Sequence, residues 1–184
     1  MKKYSLKITL IFITVLLSGN NYAQNFKDLD KSPHDIAYYR ANKISPPIIK
    51  ALYGRPLKNG REVFGELVPY DKVWRVGANE ATEIRFYKDV TFGDKEVKSG
   101  TYVLYAIPGE IEWTLILSSN IDVWGSNGYK EKYDVARTKA KVSRAESLEA
   151  FSIGFKEKKK HVNMTLGWGT TRITVPIIVE QEQI

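Results

Sequence analysis

Apolar residues recur at every second position along much of the chain, the period of half-buried strands. Residues 82–92 show it best. Ile84, Phe86, Val90 and Phe92 alternate with Glu83, Arg85, Asp89 and Thr91, which predicts one strand there. Residues 101–107 (TYVLYAI) are apolar on both faces, as in a central strand, and Trp113, Leu115 and Leu117 form one face of the next. Residues 135–142 predict a strand with Arg137, Lys139 and Lys141 toward water. Phe151, Ile153 and Phe155 alternate again, as do Val162, Met164, Leu166 and Trp168. Gly169 and Thr170 then predict a turn into residues 171–179, where Ile173, Val175 and Ile177 share a face. Pro176 in that run marks an edge strand or a bulge.

The first third is less regular. Residues 25–45 are polar, with an apolar patch at 36–39, and read as an arm with room for one strand. Pro46 and Pro47 open the body. Residues 48–53 and 73–76 are strand candidates, and Asn59-Gly60 is a strong turn signal. Pro108-Gly109 closes the strand at 101–107, and residues 120–132 read as a loop rich in Gly, Asn and Asp. Only residues 45–52 and 143–150 offer short helices. Eight to ten short strands and no fixed repeat predict an all-β fold. We expect one antiparallel β-sandwich domain, jelly-roll-like or immunoglobulin-like, over residues 46–180. An arm at 24–45 precedes it and a tail at 181–184 follows.

The start of the chain has a different pattern. Lys2, Lys3 and Lys7 precede a ten-residue apolar run at 8–17, and Ala23 offers a small residue for cleavage. This is the layout of a signal peptide over residues 1–23. The run is short of the roughly 20 residues that span a membrane. Removing 23 of 184 residues leaves 161, and losing three Lys lowers the formal charge from +7 to +4. The expectation is an exported, soluble protein, periplasmic or extracellular, with no membrane insertion after cleavage. Cys is absent and Gln24 follows the cleavage site, so it is not a lipoprotein.

Absence of Cys also excludes disulfides, thiol nucleophiles and Cys-ligated metal. His34 and His161 are the only histidines and lie far apart in sequence, so a three-His zinc site is impossible. Both are read as surface residues. No GxSxG, HExxH, P-loop or GxGxxG occurs. We therefore expect no metal and no cofactor. Much of the basic excess sits in FKEKKKH at 155–161, which reads as a solvated hairpin tip. With the export signal, that argues against nucleic acid as a partner.

The densest polar and aromatic group spans residues 53–83. Tyr53, Gly54, Arg55 and Pro56 are followed by Trp74, Arg75, Asn79, Glu80, Thr82 and Glu83. A guanidinium beside an indole suits carboxylates, phosphates or sugars. The competing reading buries Trp74 in the core, pairs Arg75 with Glu80 or Glu83, and leaves Asn79 as a turn cap. Trp124, in the loop with Asp122, Tyr129 and Tyr133, either stacks on a ligand or tucks over the core. Glu80 and Glu83 raise a glycosidase idea, but residues three apart on a strand face opposite ways.

Several segments resemble the DUF2911 family. They are SPHDIAYY at 32–39, YGRP at 53–56, the run from Asn59 to Ile84 containing VWRVGANEAT, SGTYVLYAIP at 99–108, WTLILSSN at 113–120 and WG at 124–125. The resemblance runs from about Ser32 to Val179. It implies an exported Bacteroidota-type protein of one domain, and it carries no activity, cofactor or catalytic residue. Its recurrent positions coincide with a candidate binding site of Tyr53, Arg55, Trp74, Arg75, Asn79, Glu80 and Trp124. The leading expectation is a non-catalytic binding module for a small anionic or sugar-like ligand or an envelope protein. The alternatives are a hydrolase using Glu80, Glu83 or Asp122 on a glycan-type substrate, and a structural envelope or assembly protein.

Overall fold

A computed structural model describes residues 26–180; the expected signal peptide and the tail at 181–184 lie outside the described residues. Nine strands follow in order: β1 (His34–Arg40), β2 (Pro47–Gly54), β3 (Glu83–Phe86), β4 (Val90–Phe92), β5 (Lys95–Val97), β6 (Gly100–Ile107), β7 (Glu112–Ser118), β8 (Asp134–Lys158) and β9 (His161–Val179). One short 3-10 turn, Glu131–Tyr133, precedes β8. All pairings are antiparallel, in the order β1-β2-β3-β6-β7-β8-β9-β4-β5. The all-β antiparallel expectation holds. The ladder folds over on itself, and residues from β2, β3, β6 and β7 share one core with those of β8, β9, β4 and β5, an arrangement consistent with a β-sandwich.

The hinge of this folding is β8. Its first part pairs with β7 through residue 141, and its remainder pairs with β9 from Val142 onward. Between Arg144 and Ser152 the register shifts twice. Residues 143–149 are exposed on both faces, so nothing there requires alternation. That is why SRAESLEA reads as a helix while forming a bulged strand. Of the two readings of this stretch, the strand at 48–53 holds and the helix candidate at 45–52 does not: β2 has neighbours on both sides, and Ile49 and Ala51 are fully buried.

Three expected boundaries move. The single strand at 82–92 is two strands in different parts of the ladder. β3 pairs with β2 and β6, whereas β4 pairs with β5 and β9. Asp89 turns the chain between them, accepting the Ser99 amide at 2.8 Å and pairing with Lys98 at 2.8 Å. Gly169, at φ 53°, bends β9 without ending it, so the expected turn at 169–170 is absent. Residues 73–76 form only one bridge, Trp74 to Ala106. The basic segment at 155–161 spans the tip of the β8–β9 hairpin, and its lysines are exposed, as expected.

Candidate functional site

The chain between the Trp74 bridge and β3 is a tightly kinked loop. Val76 and Asn79 have φ of 57° and 62°, a left-handed backbone that a β-branched Val rarely adopts. Two contacts hold it there. Thr82 donates its hydroxyl to the Val76 carbonyl, and the Ala78 amide donates to the Gly54 carbonyl at 3.3 Å. A Cβ on Gly54 would stand 2.0 Å from the Ala78 carbonyl oxygen, so only glycine lets this loop lie against the end of β2. The YGRP and VGAN segments, distant in sequence, are therefore one backbone contact. Strain held in place by its surroundings is a common mark of functional loops.

The seven candidate residues divide. Tyr53 and Trp74 face inward. Trp74 is 8% exposed and packs with Phe64, Trp113, Phe151 and Trp168, with ring centroids 5.2–6.2 Å apart. Tyr53 is buried, its phenol held above the ordinary range chiefly by that burial, and its oxygen accepts the Ile153 amide at 3.3 Å. Arg55 is fully engaged. It pairs with Asp35 of β1 at 2.8 Å and donates to the Phe151 carbonyl at 3.2 Å and the Ser152 hydroxyl at 3.1 Å. It ties β1 to the far part of β8.

Asn79, Glu80 and Trp124 form a rim. Asn79 donates to Asp30 at 3.0 Å, and its carbonyl accepts the Gly125 amide at 3.2 Å. Glu80 pairs with His34 at 3.2 Å and bridges to Trp124, which is 65% exposed. Glu80, Glu83, Asp122 and His34 line one cavity of about 430 Å³. The loop thus brings together carboxylates that a straight strand would separate. Glu83 spends one oxygen on the Asp122 amide at 3.3 Å. Among the described residues no group of three or more His, Cys, Asp or Glu could hold a metal.

Arg75 differs from all of these. It lines a second cavity of about 350 Å³, within the range of ligand sites. Its Nε is buried with no hydrogen-bond partner among the described residues, and burial lowers its pKa. Neither Glu80 nor Glu83 reaches it. The other cations lining the cavity are Lys72 and Arg61, and among the described residues no carboxylate lines it. Arg61 donates to the carbonyls of Leu57 and Lys58 and pairs with no acid among the described residues. Pro56, Leu67, Val68 and Trp74 give the cavity apolar walls, and Ser126 and Ser32 contribute to its lining.

Arg61, Lys72, Ser126 and Trp168 were not among the expected site residues. The first two lie within the segment flagged by its density of polar and aromatic residues. Trp168 comes from β9, and no local pattern places it beside Arg75.

A family model described as "Protein of unknown function (DUF2911)" matches residues 32–177. No curated protein and no solved structure matches the chain.

Proposed function

This chain belongs to the DUF2911 family, and we propose that it is a non-catalytic binding module whose cavity at Arg75 takes a small anionic ligand. One observation carries the reading: a half-buried guanidinium without an acid partner lines a cavity with two further cations and no carboxylate. A buried unpaired charge is costly, and a bound anion offsets that cost with a charge-assisted, bidentate contact. The apolar walls favour an anion with a carbon skeleton over an inorganic ion.

Thermal shift and calorimetry with sugar acids and aliphatic carboxylates test the proposal, with neutral sugars as controls. Acids should raise the melting temperature and neutral sugars should not. Arg75→Ala should abolish the shift while leaving the melting temperature without ligand nearly unchanged. Equal shifts in wild type and Arg75→Ala would remove the site.

A second reading, hydrolysis of a glycan, has one supporting observation: Glu80, Glu83 and Asp122 line a single cavity. Its test is turnover of aryl glycosides by wild type against Glu80→Gln and Glu83→Gln. Activity unchanged by both substitutions would end it.

The proposed address is outside the cytoplasm, on the basic, apolar and small-residue order of residues 1–23. Among the described residues no helix is long and apolar enough to cross a membrane. Mass spectrometry of the mature protein checks this, with Gln24 expected as the first residue.

A further inference from the structure

Arg55, Lys98, Arg137 and Lys139 each pair with a carboxylate. Other cations have no acid partner among the described residues, and five of these, Lys58, Arg61, Lys72, Arg75 and Arg144, line two neighbouring cavities. The first is the Arg75 cavity. The second, of about 290 Å³, is lined by Lys58, Arg61 and Arg144, with Thr170, Thr171 and Trp168. Arg61 and Trp168 line both, so they form the shared wall. Glu62 is the single acid lining the pair.

Arg144 is held in place by neutral groups only. It donates to the Thr170 and Thr171 hydroxyls at 3.2 and 3.0 Å. Arg61 is oriented by two carbonyls, as above. Both guanidinium groups are thus fixed without their charge being neutralised. Folding alone gives no reason to gather five unneutralised cations, because like charges repel.

From this we propose that the two cavities form one composite site for a ligand with two anionic groups joined by an apolar or ring-shaped spacer. One group lies at Arg75 and Lys72, the other at Lys58 and Arg144, with Arg61 between them. This rests on the reading of the Arg75 cavity and extends it to a ligand class. Acidic oligosaccharides and aliphatic dicarboxylates both have this chemistry. The larger cavity of about 440 Å³ near Tyr39 is no rival for the same ligand, since Glu157 and Glu180 line it together with its lysines.

Calorimetry on the mature protein separates the possibilities. One arm compares digalacturonate with galacturonate, the other suberate with octanoate. We expect at least tenfold tighter binding of the two-anion probe in one arm, which identifies the source. The gain should be lost in Lys58→Gln and in Arg144→Gln, while the one-anion probe binds both variants as it binds wild type. Lys58 makes no side-chain hydrogen bond among the described residues, so its variant tests charge even if Arg144→Gln unfolds.

No gain in either arm, or a gain that survives Lys58→Gln, overturns the composite site. In that outcome a one-anion probe that still needs Arg75 leaves the simpler reading standing. Failure of every acid to bind removes both.

Discussion

Arg55 and Arg75 come from the two most distinctive segments of this chain, and the Gly54–Ala78 contact brings those segments together. Both side chains are partly exposed, yet their surroundings are opposite. Arg55 meets a carboxylate from β1 and a carbonyl and a hydroxyl from β8. Arg75 has a buried nitrogen with no partner and a cavity in front of it. The difference shows that two arginines from adjoining segments can have opposite surroundings, one spent on the fold and the other left open. Arg55 joins β1 to β8 and closes the molecule. Arg75 leaves a charge open, which folding alone does not require.

The largest expected effect falls on the floor beneath the cavity. Trp74→Ala should cost roughly 3–5 kcal/mol, as large aromatic deletions in cores do. Its ring packs against four other aromatic rings. Urea unfolding measures this. A loss below about 1 kcal/mol would show that Trp74 is a ligand platform more than a core residue, and the division between the two regions would fail.

Next in size is the contrast between the arginines themselves. Arg55→Ala removes contacts to the partly exposed Asp35 carboxylate, the Phe151 carbonyl and the Ser152 hydroxyl, and should cost about 1–2 kcal/mol. Arg75→Ala breaks no hydrogen bond and removes a partly desolvated charge, so its change should lie within about 0.5 kcal/mol. In ligand binding the order should reverse. Equal destabilisation by the two substitutions would break the comparison outright.

Much of the fold was legible because alternation reports burial on one face. Residues 84, 86, 90 and 92 are all buried as their pattern implies. The pattern could not show that Asp89 sends the second pair to the other end of the ladder. That turn depends on Ser99 and Lys98, which alternation does not weigh. Nor could it read residues 143–149, where both faces meet water. The candidate site was legible as a neighbourhood but not as a mechanism. The sequence places Trp74, Arg75, Asn79 and Glu80 side by side. Only the left-handed turns at Val76 and Asn79 send them to core, cavity and rim. Arg144 and Trp168 enter through the pairing of β8 with β9, which no local pattern encodes.

The smallest expected effect concerns Asn79, on the structural side of the comparison although next to Arg75. Its amide donates to Asp30, and Ser32, also bonded to Asp30, lines the Arg75 cavity. The Asp30 carboxyl is held below its ordinary range, first by the Ser32 amide and then by Asn79. A lowered carboxylate pKa means that its contribution to the fold is present above the unfolded value, near pH 4, and is lost as pH falls through the folded value. An NMR titration should therefore show Asp30 protonating below the ordinary aspartate midpoint. Asn79→Ala should raise that midpoint only part of the way, because the Ser32 amide remains. A midpoint unmoved by the substitution would mean that Asn79 does not hold Asp30. The residue would then stand with Arg75, free for a ligand, and not with Arg55.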